Sequence, residues 1–184
     1  KLWAGNQPVS TSLQRKLLDR ELRQPLETSL VAEDGVSAAS LALAFEELLG
    51  GGSALLPLLQ PHAQRLGTLI KGLTLHPVAQ LLLTAAQTAR PEHYAHAVAA
   101  MALNGALMVA GGGDDAAVRL ALLCGLLHDV GEMYIGPEHG EAEADRDLDF
   151  ASYQQLVVHP HVGSLLLAQL TNYPADVARA VAEH

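Results

Sequence analysis

Apolar residues recur at spacings near 3.6 along almost the whole chain, and no stretch alternates cleanly between apolar and polar positions. That period lines one face of a helix with apolar side chains, whereas a half-buried strand needs a period of two. Ala and Leu dominate, and Phe, Trp and Tyr together make up only 4%. Such a supply suits helix and leaves a sheet short of aromatic cross-strand pairs. The spacing predicts an all-α, multi-helix bundle, with helices near 11–23, 37–49, 53–73 (broken at Pro57 and Pro61), 77–89, 91–110, 114–128, 149–157, 160–171 and 174–184. Ser37 and Asp114 suit N-caps, and Pro77, Pro91 and Pro174 suit first-turn positions. The glycine triplets at 50–52 and 111–113 end helices, and Gly131 is expected to stop the helix carrying Leu120 to Asp129.

With 184 residues, 49% of them hydrophobic, the chain can bury one domain, or one domain and a helical extension. The reading divides it into an N-terminal helical region, 1–76, and a chemical region, 77–184, sharing an interface. Residues 1–90 carry eight Lys/Arg against seven Asp/Glu, while 91–184 carry three against thirteen. An acidic half is a poor surface for nucleic-acid polymers or anionic membranes and a good one for concentrating cations. Six of those acids lie between Glu138 and Asp149, so much of the charge also fits a solvated loop, with His139 exposed in it. No apolar run reaches the ~18 residues of a membrane span, no secretory signal opens the chain, and the lone Cys124 excludes an intrachain disulfide. Together these features point to the cytoplasm.

The chemistry concentrates around the run from Leu122 to Glu132, LLCGLLHDVGE. An apolar helix ends there in adjacent His128 and Asp129, and burying either without a partner is costly. A divalent cation is one such partner; a ring capping the last carbonyls beside an Asp in a local salt bridge would give the same two letters. Three further histidines weigh on the choice. His96 follows Glu92 by four residues, on the same helical face, and leads into two turns of small apolar residues. His159 sits at the junction Val157-Val158-His159-Pro160, and His184 ends an amphipathic helix. Histidines on four separate helices are what an all-helical bundle needs to converge ligands on one pocket. His62 and His76, beside prolines at element ends, read as exposed or capping residues.

The ordered set Glu92-x-x-x-His96, His128-Asp129-x-Gly131, His159-Pro160-x-x-Gly163 and a helix ending in His184 resembles the HD superfamily of metal-dependent phosphohydrolases, most closely its HD-GYP branch, over residues 77–184. The resemblance implies an HD-domain bundle with an N-terminal extension. It implies metal ligands at His96, His128, Asp129 and His159, with Asp129 bridging two ions, His184 a further ligand and Glu92 one for a third ion. His128 and Asp129 are the implied catalytic pair, and Glu132, His93 and His161 are implied to stand behind the ligands or to face the substrate. It implies two divalent ions, iron or manganese, with zinc, nickel or cobalt also suited to this donor set. The implied activity is hydrolysis of a nucleotide phosphodiester, cyclic di-GMP, by a metal-activated water. Two departures stand out: the branch's second histidine and Gly-Tyr-Pro loop would follow His184, suggesting a trimmed C-terminus, and its phosphate-contacting Lys is Glu132 here. Partners on this reading are a small nucleotide and either a second copy or a signalling protein. The rival is a catalytically degenerate module like the HDOD branch, which keeps the bundle and acts through protein partners.

Overall fold

The computed structural model describes residues 8–18, 25–136 and 150–184. Within them α1 spans Thr11–Leu18, α2 Ala38–Gly50, α3 Leu56–Leu59, α4 Ala63–Lys71, α5 Pro77–Ala89, α6 Pro91–Ala110, α7 Asp115–Leu127, α8 Phe150–Leu156, α9 His159–Leu170 and α10 Ala175–Glu183. Short 3-10 turns cover Leu26–Thr28, Gln60–His62 and Val130–Tyr134. No strand occurs among the described residues, so the fold is the all-α bundle that the periodicity predicts. The expected extension of the first helix to 23, the acidic stretch from Glu138 to Asp149, His139 and Arg146 lie outside the described residues.

Caps form where the sequence offers them. The Ser37 hydroxyl accepts from the Ser40 N–H while the Ser40 hydroxyl accepts from the Ser37 N–H, closing a capping box at α2. The Asp114 carboxylate accepts from the Ala117 N–H at 2.8 Å and starts α7. Pro77 and Pro91 occupy first-turn positions, and Pro174 stands one residue earlier, as the N-cap of α10. His76 caps α5 through Nδ1, which accepts from the Val78 N–H at 3.2 Å. Pro57 and Pro61 divide the predicted 53–73 helix into α3, a 3-10 turn and α4, because a ring without N–H suits only a first turn.

Gly131 does not stop α7. The helix ends at Leu127, four residues earlier, and Gly131 lies inside the following 3-10 turn. Its role is steric: a Cβ there would stand 2.0 Å from the His159 carbonyl oxygen and 2.7 Å from the Gly163 N. A missing side chain thus lets the turn after α7 press against the first turn of α9.

One apolar core runs through both halves of the chain. Val36, Leu41, Phe45, Leu66 and Ile70 from the N-terminal half are buried in one cluster with Met101, Leu122, Leu126, Val177 and Val181. Burying a side chain of this size contributes roughly 1.5–3 kcal/mol. The α6–α7 pair is the most extensive helix contact, and α9 packs on both α10 and the Val130–Tyr134 turn. Polar bonds also cross between the halves: Val36 N–H donates to Thr84 Oγ1 at 2.9 Å, and Gln80 Nε2 donates to the Val36 carbonyl at 3.2 Å. The result brings the second turn of α6, the first turn of α9, the end of α7 and the end of α10 to one place.

Candidate metal centre

Asp129 lies where α7 gives way to the 3-10 turn, and its carboxylate is buried at 3% exposure. Four imidazoles converge on it. Toward Oδ2 stand His128 Nε2 at 2.9 Å and His96 Nε2 at 3.4 Å. Toward Oδ1 stand His184 Nε2 at 3.0 Å and His159 Nε2 at 3.4 Å. The carboxylate therefore separates two histidine pairs, each facing one of its oxygens.

Local helical geometry aims three of the rings. His128 Nδ1 donates to the Gly125 carbonyl at 2.9 Å, His159 Nδ1 to the Leu156 carbonyl at 2.6 Å, and His184 Nδ1 to the Val181 carbonyl at 2.8 Å. In each case the acceptor lies three residues back, in the final turn of α7, α8 or α10. A carbonyl can only accept, so Nδ1 carries a proton and Nε2 points at the shared centre, where it offers a lone pair to a metal or, when protonated, donates to Asp129. The His128 ring thus caps the helix end through one nitrogen and faces the carboxylate with the other.

This donor set fits a divalent metal. The His159 and His184 Nε2 atoms are 3.0 Å apart, and those of His96 and His128 are 3.2 Å apart. Two imidazole lone pairs facing each other at such distances repel unless a cation, a proton or a metal, accepts them. Nitrogens bound at about 2.1 Å to one ion lie about 3.0–3.4 Å apart at right or tetrahedral angles. His96, His128 and Asp129 form one set of three candidate donors, and Asp129, His159 and His184 form a second.

Electrostatics already bind the groups to one another. Burial would raise the Asp129 carboxyl, but hydrogen bonds from His128, His159 and His96 and the charge of His128 outweigh it and hold the group far below the usual carboxylate range. Burial likewise opposes charge on His159, yet its hydrogen bonds to Asp129 and the Leu156 carbonyl, with the charges of Asp129 and Glu132, raise it above an ordinary histidine.

The remaining expected residues separate. Glu92 is exposed one turn before His96, and His161 is exposed on α9; no described contact joins either to the cluster. His93 and Glu132 are buried at 5% and 2% exposure, with His93 Nδ1 3.3 Å from Glu132 Oε2. With Asp129 they form a third candidate group behind the first two. The sequence signal for that group was spacing, since His93 precedes His96, and Glu132 follows Asp129, by three residues. A surface groove of about 690 Å³ lies elsewhere, between α6, α7 and α10, and is lined by Leu107, Met108, Leu120 and Cys124 among others. It contains none of the histidines, so the donor geometry, not the concavity, marks the candidate centre.

The HD domain family matches residues 78–184. No curated protein and no solved structure matches the chain. The all-α bundle, the His-Asp pair at the end of α7 and the family match agree: the chain belongs to the HD domain family of metal-dependent phosphohydrolases.

Proposed function

We propose that the chain hydrolyses a nucleotide phosphodiester, with cyclic di-GMP as the substrate, at a centre where His96, His128, Asp129, His159 and His184 hold two divalent ions, iron or manganese. The observation that carries this reading is the convergence of four imidazole Nε2 atoms on the two oxygens of one buried carboxylate. Bound divalent ions supply Lewis acidity there, lowering the pKa of water and neutralising phosphate charge.

The chain's own residues do the rest. Asp129 offers one oxygen to each histidine pair and so suits a bridging role. The three Nδ1–carbonyl bonds fix ring orientation and the Nδ1–H tautomer, leaving Nε2 to act as donor. His96, with its side chain 53% exposed, marks the open side from which a nucleotide enters, whereas His159 at 4% closes the other. Residues 77–184 form the hydrolytic unit, and 1–76 support it through the shared core. No helix among the described residues is long and apolar enough to cross a membrane; we place the activity in the cytoplasm.

Buried Glu132 favours a second reading. It stands where the HD-GYP pattern has a phosphate-contacting lysine, and its carboxylate faces His93 inside the protein. A site without that cation suits a degenerate module that retains metal for structure and signals through protein partners. Metal content and turnover separate the two. The hydrolase reading expects bound divalent metal, cleavage of cyclic di-GMP, and loss of cleavage in His128→Ala and Asp129→Ala. Cleavage unchanged in both variants would refute the assigned centre, and bound metal without cleavage would select the signalling module.

A further inference from the structure

Arg90 is the N-cap of α6, and its guanidinium reaches across to the turn that follows α7. Nη1 donates to the Glu132 carbonyl at 2.7 Å, and Nη2 donates to the Ile135 carbonyl at 2.6 Å. Both acceptors belong to the Val130–Tyr134 turn and its C-cap, and that turn starts on Asp129. The helix that Arg90 opens carries His96 in its second turn. The half-buried Arg90 side chain thus joins the segment holding Asp129 to the helix holding His96, alongside the buried His93–Glu132 contact between the same two elements.

The turn has a different fastening on its other side. Against α9 it is held by steric fit, through the close approach of Gly131 to the His159 carbonyl and the Gly163 N. That contact fixes Asp129 relative to His159 without help from Arg90. On the α6 side the gap between His96 Nε2 and Asp129 Oδ2 is 3.4 Å, and the forked guanidinium spans the same two elements. Arginine suits this task because two of its donors are fixed in one plane and meet two carbonyls at once, whereas a lysine ammonium is a point charge on a flexible stem.

We propose that Arg90 is a positioning residue of the metal centre, aligning His96 with Asp129 by clamping the turn after α7 to the start of α6. The inference rests on the metal-centre reading above.

Calorimetric titration with Mn²⁺ tests it, using the whole chain as wild type, Arg90→Gln and Arg90→Lys, each also combined with His96→Ala and with His184→Ala. Arg90→Gln should weaken binding about tenfold, the range of outer-shell partners that orient ligands, and Arg90→Lys should restore part of the loss. Because the clamp acts through His96, the effect should vanish in the His96→Ala background and persist in the His184→Ala background, a coupling that only such a cycle isolates. Equal affinity in Arg90→Gln and wild type overturns the inference, as does the same fold-loss with and without His96, which would mark Arg90 as a support of the fold alone. If Arg90→Gln does not fold by circular dichroism, Arg90→Lys, which keeps the charge, carries the same cycle, and the same two outcomes overturn the inference. A wild-type chain that takes up no Mn²⁺ overturns the metal-centre reading itself, and the inference with it.

Discussion

Helices α6 and α7 meet in two different ways along their length. In the middle they approach through missing side chains: a Cβ on Gly105 would stand 2.6 Å from the Leu122 side chain, and one on Gly125 would stand 2.5 Å from the Ala100 carbonyl oxygen. That stretch is apolar and closely packed, with Met101, Leu122 and Leu126 buried. At the other end the same two helices present His96 and His128, their Nε2 atoms 3.2 Å apart and both turned toward Asp129. The first contact is specified by volume, the second by the direction of a few lone pairs. They should therefore fail separately, the middle by losing stability and the end by losing its ion.

Removing the carboxylate is the most severe break at the polar end. In Asp129→Ala the two histidine pairs lose the group that joins them, and Mn²⁺ affinity should fall by at least about a hundredfold, beyond the ten- to hundredfold cost of losing an outer-shell partner. Calorimetry checks it, and a loss below tenfold would mean that Asp129 is not a ligand. Leu122→Ala makes the complementary break. It leaves a cavity in the middle of the helix pair and should cost about 2–5 kcal/mol in chemical denaturation, while the folded variant keeps Mn²⁺ affinity within about twofold. Metal loss as large as that of Asp129→Ala would show that the two ends are not separable.

A pH series sharpens the same contrast, because only the polar end titrates. Asp129 is depressed, so its stabilisation is present above its unfolded value of about 3.9 and is lost as pH falls through the lower folded value. His159 is raised, so its contribution is complete below about 6.5 and is lost as pH rises through the higher folded value. In metal-free protein the stability difference between wild type and Asp129→Asn should thus be largest between about pH 4 and 6.5 and shrink toward pH 8. Divalent metal should reverse the alkaline decline, since it binds the deprotonated rings. Denaturation curves in chelator and in Mn²⁺ decide this, and a difference that grows steadily to pH 8 in chelator would contradict the sign.

Much of the apolar part was legible from the sequence, because burial repeats with the helical period: α5 and α6 fall at the residues the spacing predicts, and the α2 and α7 caps follow from Ser37 and Asp114. The histidines were legible as candidates, since each stands at the end or near the start of an apolar helix. Three things were hidden. The Nδ1 bonds to carbonyls three residues back depend on ring rotation, which no letter encodes. Gly131 reads as a helix stop, and only the approach of α9 shows that it makes room for the His159 carbonyl. Arg90 reads as an ordinary charge before a proline, and its two carbonyl acceptors lie more than forty residues away, at Glu132 and Ile135. Period and capping can be read locally, whereas the first of these depends on a side-chain rotation and the other two on tertiary approach.

The smallest expected effect belongs to a contact of neither kind. The Tyr134 hydroxyl donates to the Glu27 carboxylate and ties the Leu26–Thr28 turn to the turn that begins on Asp129. Burial, then the hydrogen bond to Glu27 and its charge, raise the phenol above its ordinary value, so it stays a protonated donor across the neutral range. Yet Tyr134 is 44% exposed, and water can replace much of what the bond provides. Tyr134→Phe should therefore cost about 1 kcal/mol or less, Glu27→Gln about the same, and the double variant no more than either alone, because both remove one interaction. Mn²⁺ affinity should stay within twofold of wild type in all three, since Arg90 and the Gly131–Gly163 contact hold the turn from two other sides. A tenfold loss in Tyr134→Phe would instead make the Leu26–Thr28 turn a third fastening of the metal centre, and the contrast between a packed middle and a directed end would have to include the N-terminal region.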